Sequence, residues 1–313
     1  MPPADGPVAI TGASGYLGGR IAAALGDRSR ALVRAPVGWL PERTQVVCDL
    51  LGGPDQVAEA LTGASAVVHL AGHNEVIAAS DPERALQETV AMAAAVRDAA
   101  RAVGVPRVVY VSTVHVYGEL LAPGNHLVES LPAKPVSAYA EARWRCEELL
   151  QEGDDLDVVV LRLSNAVGAP ADPTVDRWTL VASDLCRAAV LTGRMVLRSS
   201  GQQWRDFIAL EDAARLVIGS VEAAVAPGTY NLASGRSSTV RSLAELVQDR
   251  IEIRTGRRPE LEAPPLSPHQ DPSYTIDVGA LAATGLRATL SLTEAVDELV
   301  DHCLKHEPVL RAR

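Results

Sequence analysis

Residues 8–18 read Val8-Ala9-Ile10-Thr11-Gly12-Ala13-Ser14-Gly15-Tyr16-Leu17-Gly18. The first four, Val8–Thr11, are apolar or β-branched and predict a short buried strand. Gly12, Gly15 and Gly18 follow, and the apolar spacing of a helix takes over from residue 16. Small residues at such a turn let the backbone approach a pyrophosphate. The helix N-terminus behind it offers unpaired N–H groups and positive potential. Gly18 permits close packing of helix on strand. Triple-glycine spacing alone is a weak signal, with an ordinary tight turn as the alternative. Its place between a strand and a helix makes it the turn of a dinucleotide-binding fold. Gly12, Ser14, Gly15, Tyr16, Leu17 and Gly18 are therefore expected to line a cofactor.

Outward from this turn, β-branched runs alternate with helical patterns. Strands are expected at Val8–Thr11, Arg30–Arg34, Gln45–Cys48, Ala66–Leu70, Arg107–Ser112 and Asp157–Leu163, and helices at about 16–26, 54–62, 82–103 and 138–151. The longest helix opens on Asp81-Pro82-Glu83, an N-cap residue, a proline at the first helical position and an acid in the first turn. Near-continuous apolar strands suit a sheet covered on both faces. The alternation predicts an α/β fold with a Rossmann-type doubly wound parallel sheet. After Leu163 the rhythm breaks. Residues 164–176 are rich in Ala, Pro and Asp, helices follow at about 176–191, 211–224, 240–254 and 291–305, and the proline-rich stretch 256–274 reads as loop or extended chain. The expected division is a dinucleotide-binding domain, 1–163 plus about 204–233, and a smaller, mostly helical C-terminal substrate lobe, about 164–203 plus 234–313.

The chain has 313 residues, 47% of them hydrophobic, ample for one large core or two unequal ones. Its net charge of −10 repels phosphate backbones and argues against a nucleic-acid partner. No apolar run reaches the roughly 18–20 residues that span a bilayer. The N-terminus MPPADGPVAI has no secretion-signal pattern, so the expected compartment is the cytoplasm. Cys48, Cys146, Cys186 and Cys303 are far apart and read as buried free thiols. His302 and His306 stand four residues apart without an evident third ligand, so no metal site is expected.

Arg34 ends the second predicted strand, where dinucleotide folds usually carry an acid for the adenine-ribose hydroxyls. A guanidinium there pairs with a 2′-phosphate and favours NADP over NAD; a solvated surface arginine is the alternative. Asp49 and Leu50 follow the third strand on the adenine side. Leu70, Ala71 and Gly72 end the fourth, where small residues let the dinucleotide pass.

Five further segments carry a resemblance. Tyr110-Val111-Ser112-Thr113-Val114-His115-Val116-Tyr117-Gly118 resembles the Ser-Ser/Thr-x-x-Val-Tyr-Gly motif of the extended short-chain dehydrogenases/reductases, a family of nucleotide-sugar epimerases, dehydratases and ketoreductases. Tyr139-Ala140-Glu141-Ala142-Arg143 resembles its Tyr-x-x-x-Lys motif with Arg for Lys. Leu161–Gly168, Trp204–Ile208 and Gly228–Leu232 resemble its Arg-x-x-Asn-Val-x-Gly, Arg-Asp-Phe-Ile and Tyr-Asn-x-Gly segments, in the same order.

Hydride transfer at a carbinol carbon requires a proton to move on or off the oxygen. A free tyrosine, with a pKa of about 10, needs a nearby cation to act as a base at neutral pH. The resemblance implies that Tyr139 is the acid/base, that Thr113, with Ser112 beside it, holds the substrate oxygen, and that Arg143 replaces the lysine that also holds the nicotinamide ribose. Arg143 follows Tyr139 by one helical turn, so both lie on one face. Arginine is longer, planar and permanently charged. The family's asparagine is also missing from Glu88-Thr89-Val90. A non-catalytic dinucleotide-binding protein with a degenerate Tyr-x-x-x-Arg site is the alternative to an enzyme.

On the substrate side the resemblance implies Asn165 and Arg205 as contacts of a nucleotide diphosphate, with His73 and Tyr274 nearby; an ion pair of Arg205 with Asp206 or Glu211 is the alternative. The family's second phosphate-binding arginine, upstream of Tyr274, is absent: Pro264–Asp271 offers only His269 and Gln270. Val114 and His115 replace the acid pair of the 4,6-dehydratases, which disfavours dehydration. His115 remains able to move a proton near neutral pH, a packed histidine being the alternative. The expected activity is an NAD(P)-dependent reductase or epimerase acting on a sugar or nucleotide sugar, with a slight preference for ketoreductase. The resemblance implies a homodimer through the helices at about 82–103 and 138–151; an apolar helix face packed within the core is the alternative.

Overall fold

A computed structural model of the protein describes residues 6–153, 155–222, 225–269 and 271–312. Its main sheet has seven strands, all parallel: β1 (Val8–Thr11), β2 (Ser29–Val33), β3 (Gln45–Val47), β4 (Ala66–His69), β5 (Arg107–Thr113), β6 (Asp157–Leu163) and β9 (Gly228–Leu232), the last numbered to leave room for two strands outside this sheet, β7 (Asn165–Val167) and β8 (Trp204–Ala209). The spatial order is β9-β6-β5-β4-β1-β2-β3. The chain winds outward from β1 in one direction through β2 and β3, then returns to the other side of β1 with β4. The winding direction reverses at the carboxyl ends of β1 and β4, the place where sheets of this kind form a ligand crevice.

Alternate residues of these strands enter separate cores. Ile10, Val68, Val109 and Leu161 pack with α1 (Tyr16–Leu25) and α7 (Leu210–Glu222). Ala9, Val67, Val108, Tyr110 and Val160 pack with α2 (Pro54–Leu61), α4 (Pro82–Val103) and α5 (Ala138–Leu150). Both faces are buried, which is why the strands carry no polar alternation. A third core joins α6 (Val181–Thr192), α8 (Val240–Thr255) and α9 (Leu292–Lys305) beside a small sheet in which β8 pairs parallel with β7 and antiparallel with β10 (Ser237–Thr239).

The expected helix at 82–103 is found with its cap: Asp81 accepts from the amide of Arg84 at 3.3 Å, and the helix ends on Gly104 at φ 75°. Other expectations need correction. The helix expected from about 176 starts only at Val181. The stretch 164–176, where no strand is expected, contains β7; in 256–274, read as loop or extended chain, Glu260–Glu262 is the extended part. The helix α3 (Glu75–Ser80) was not expected at all. Elements of three to six residues are too short to display a period, and their partners alone decide them. Residues 1–5, which open the N-terminal segment read for a signal, lie outside the described residues, as do Ala223 and Ala224 at the end of an expected helix and Gln270. All four cysteines are buried and free, and no helix among the described residues is long and apolar enough to cross a membrane.

One buried ionic network ties the sheet to α5. Glu147 and Arg162, 4% and 6% exposed, form an ion pair at 2.8 Å, and the Arg162 Nε–H adds a bond to the same carboxylate at 3.1 Å. Ser112 donates its hydroxyl to Glu147. The Arg162 guanidinium lies 4.9 Å from the Tyr117 ring centroid, and Tyr117 donates to Asn231 of β9 at 2.7 Å. Removing one partner strands the other charge in the interior. Glu147→Ala is therefore expected to lower stability by about 3–5 kcal/mol in chemical denaturation, and a paired replacement, Glu147→Leu with Arg162→Met, to recover most of that loss.

Candidate active site

The glycine turn has the shape its composition demands. Gly12 takes φ 70°, and its carbonyl accepts from the amide of Gly15 at 3.0 Å. A Cβ on Gly18 would lie 2.2 Å from the Gly12 carbonyl oxygen, so only glycine lets α1 start this close to the turn. Gly15 caps α1 without a side-chain bond, and the first turn holds no acid. The cradle therefore presents a bare helix N-terminus, which fits a pyrophosphate. Ser14 is exposed beside it. Tyr16 donates its hydroxyl to the Gly168 carbonyl at 2.6 Å, and Leu17 is buried in the core. These two side chains are committed inward, and what they offer the crevice is backbone.

Arg34 lies just past β2, exposed and without a carboxylate partner among the described ion pairs. The loop behind it is pinned by Gln45, which accepts from Val37 N at 2.8 Å and donates to the Leu40 carbonyl at 2.8 Å. Asp49 is exposed and caps the amide of Leu51 at 3.0 Å, whereas the Leu50 side chain belongs to the core under α2.

At the reversal point Thr11 and His69 are register neighbours. Thr11 Oγ1 accepts the amides of Leu70 and Ala71, each at 3.1 Å. Its own hydrogen is then free for His69 Nδ1 at 2.7 Å. Nδ1 as acceptor leaves the proton on Nε2, which is buried without a partner. The ring stacks on Tyr110 at 5.5 Å. Burial, followed by the charge of Arg143, pulls its pKa down to about 3, so the imidazole stays neutral.

Tyr139 is delivered by a chain of local constraints. Thr113 ends β5, and its hydroxyl accepts the amide of His115 at 3.2 Å, starting a tight turn over Val114–Leu120. Gly118 in that turn takes φ 50°, and a Cβ there would lie 1.7 Å from the Lys134 carbonyl oxygen. The glycine of the Val-Tyr-Gly motif thus lets the segment leading into α5 cross the turn. Ser137 caps α5 by accepting from Ala140 N at 3.2 Å. Tyr139 follows in the first turn, half-buried, its hydroxyl without a hydrogen bond among the described residues.

One turn on, the Arg143 guanidinium lies 5.5 Å from the Tyr139 ring centroid and is 7% exposed. It donates to the Leu70 carbonyl at 3.5 Å. A Cβ on Gly72 would lie 3.1 Å from Arg143 Nη2 and 2.9 Å from Thr89 Cγ2, so the bare glycine makes room for the longer side chain. Burial opposes the charge of Arg143, but Tyr110 and Tyr139 outweigh it and hold its pKa above the ordinary guanidinium value. Thr89, where the family places asparagine, accepts from His73 N at 3.1 Å.

Several site residues read from the sequence do converge on this crevice. His115 is mostly buried; burial first, then Arg205, lowers its pKa, while Glu75 opposes. Arg205 pairs with neither Asp206 nor Glu211: its guanidinium donates to the Trp204 carbonyl at 2.7 Å, Asp206 is taken by Ser164, Ser234 and Arg236, and Glu211 pairs with Arg20. Tyr274 is buried within electrostatic reach of Arg205. Asn165 donates to the Asp206 carbonyl at 2.8 Å. Two others are diverted. Ser112 spends its hydroxyl on Glu147, and His73 pairs with Glu88 at 2.6 Å. The sequence reading missed His69, Glu75, Glu147 and Arg177. The histidine closing the apolar strand Ala66–His69 was the available signal for the first. His302 and His306 lie 4.6 Å apart by ring centroids, and no group of His, Cys, Asp or Glu among the described residues has metal-binding geometry.

Residues 8–233 match the model of the NAD dependent epimerase/dehydratase family, and the chain belongs to that family. It is 31% identical over 307 residues to a dTDP-6-deoxy-L-talose 4-dehydrogenase (NAD(P)(+)) of Kitasatospora kifunensis, covering 93% of this chain and 94% of that one. It is 28% identical over 253 residues to a GDP-6-deoxy-D-mannose reductase of Pseudomonas aeruginosa, covering 78% and 80%. The solved UDP-N-acetylglucosamine 4-epimerase from Methanobrevibacter ruminantium, in complex with UDP-N-acetylmuramic acid, superposes with a TM-score of 0.82 at 25% identity, over 96% of this chain and 99% of that one.

The neutral His69 has a measurable consequence. Between the ordinary value of 6.5 and its folded value of about 3, the unfolded chain binds a proton that the folded chain excludes. Its contribution to stability is therefore lost as pH falls through that window, by about 1.4 kcal/mol per unit. His69→Asn, which keeps an acceptor for Thr11 and does not titrate, is expected to flatten the pH dependence of urea unfolding between these limits.

Proposed function

We propose that this protein is an NAD(P)-dependent oxidoreductase acting on a hydroxyl or keto carbon of a nucleotide-linked sugar, with ketone reduction as its working direction. The observation that carries the reading is the pair of Tyr139 and Arg143: a phenol whose hydroxyl has no hydrogen bond among the described residues, one turn from a buried guanidinium. Two similar enzymes, a 4-dehydrogenase and a reductase of nucleotide-linked 6-deoxy sugars, support it. Gly12, Ser14, Gly15 and the backbone of residues 16–18 would hold the pyrophosphate of a dinucleotide, with Leu70–Gly72 flanking it. Arg34 would take a 2′-phosphate, which favours NADP. The dinucleotide, when bound, supplies the hydride exchange.

The residues of the chain then handle the oxygen and its proton. Thr113 hydrogen-bonds the sugar oxygen. Tyr139 gives that oxygen its proton during reduction and takes it during oxidation. Arg143 offsets the phenolate charge as it forms. Arg205, half-buried and without a carboxylate partner among the described ion pairs, holds the phosphate side, and Asn165 and Tyr274 flank it. Val114 and His115 offer no carboxylate to expel water, which disfavours 4,6-dehydration. The same reading assigns residues 1–163 plus about 204–233 to the cofactor and about 164–203 plus 234–313 to the substrate, and extends to a homodimer across α4 and α5.

A second reading, epimerisation with a tightly held NAD, draws on Arg143 itself. A guanidinium that never releases its proton closes that route to solvent. An epimerase avoids the need for it, because Tyr139 keeps the proton and returns it to the same sugar oxygen. Turnover of a nucleotide-sugar panel, followed by the absorbance of reduced nicotinamide, separates the two: net change supports reduction, and product without net change supports epimerisation. Tyr139→Phe is expected to lower kcat by about 10²–10⁴-fold while dinucleotide affinity holds; unchanged turnover would remove the catalytic reading. Arg34→Ala is expected to lose any preference for NADP over NAD, measured as the ratio of kcat/KM values.

A further inference from the structure

Asn74 caps α3, accepting the amides of Val76 at 3.1 Å and Ile77 at 3.0 Å, and so sets Glu75 at the first helical position on the loop after β4. Its carboxylate meets Arg177, which lies 102 residues later in the segment leading to α6. The contact is two-pronged, Nη1 to Oε1 at 2.9 Å and Nη2 to Oε2 at 2.6 Å. A guanidinium grips a phosphate with the same fork. The Arg177 and Glu75 side chains are 21% and 43% exposed, so water and solutes reach the pair. Solvent-exposed pairs of this kind add little to stability.

The neighbours show which wall of the crevice this is. His115, just beyond Thr113, feels the charges of both Arg205 and Glu75. Arg205 and Glu75 thus both face one histidine at the mouth of the proposed substrate site, and Arg177 is held there through its fork on Glu75; Arg205 has no carboxylate partner among the described ion pairs. With Glu75 bound to Arg177, one positive charge is open. With Glu75 released to water, two are open, which matches the charge of a diphosphate.

Resting on the nucleotide-sugar reading, we propose that Arg177 is a second phosphate-binding residue, occupied by the Glu75 carboxylate until a diphosphate displaces it. Glu75 is then a built-in competitor that sets substrate affinity. This supplies from the segment before α6 the cation that Pro264–Asp271 does not contain.

Calorimetric titration of dTDP, UDP and GDP into the full chain, its Glu75→Gln variant and its Arg177→Gln variant tests this. Glu75→Gln is expected to tighten nucleoside diphosphate binding by on the order of fivefold, and Arg177→Gln to weaken it by on the order of tenfold or more. NADP affinity, measured in parallel, should be the same in all three and shows that each variant is folded. Shifts in the same direction for both variants, or no shift in either, would mean the pair is only a strut and would overturn the inference while leaving the nucleotide-sugar reading intact. An unmodified protein that binds NADP but none of the three diphosphates would overturn both.

Discussion

A carboxylate and a guanidinium buried together between α5 and the sheet are the constraint on which the candidate site depends. Glu147 and Arg162 cannot be separated without stranding a charge in the interior. Their bond fixes the rotation and height of α5 against β5 and β6. Tyr139 and Arg143 stand two turns and one turn before Glu147 on that helix, so the helix that holds Glu147 also aims the phenol. Ser112, bonded to Glu147, fixes the end of β5 one residue before Thr113. Hydroxyl and phenol are thus referred to the same buried pair, although they come from segments that share no local structure.

A second constraint is electrostatic. Arg143 is a permanent charge in a nearly dry environment, and its neighbours are chosen to tolerate it. His69 is kept neutral by burial and by that same charge. Tyr110 and Tyr139 present phenols that strengthen its hold on its proton. Gly72 supplies the space that a guanidinium needs beyond an ammonium. The replacement of lysine by arginine is therefore accommodated by several contacts, with a carbonyl, two aromatic rings and a bare glycine all shaped around it.

Much of this was legible in the order of residues. The glycine turn needed only its flanking strand and helix, because Gly12 and Gly18 are demanded by backbone conformation and by the approach of a carbonyl. The motifs around Thr113 and Tyr139 likewise pointed to a shared crevice. Other parts were not legible. Ser112 and Thr113 are adjacent hydroxyls on one strand, and alternation sends one to Glu147 and the other to the turn over Val114–Leu120. Leu50 looked like part of a cofactor wall and instead faces the core. Glu75 and Arg177 are ordinary polar residues in sequence, and only their meeting across the crevice gives them interest.

By itself, then, the sequence determined the local, steric and periodic features: the doubly wound sheet, the glycine turn, the cap and length of α4, and the one-turn spacing of Tyr139 and Arg143. These follow from φ/ψ limits and from the distribution of apolar residues, which act over a few positions. The tertiary structure alone decided which polar groups are spent on one another and which stay open to a ligand. That choice engaged Ser112, His73 and Glu75, and among the described residues left Arg205 without a carboxylate and the Tyr139 hydroxyl without a hydrogen bond, because hydrogen bonds and ion pairs between distant segments are settled by packing geometry that no local pattern encodes.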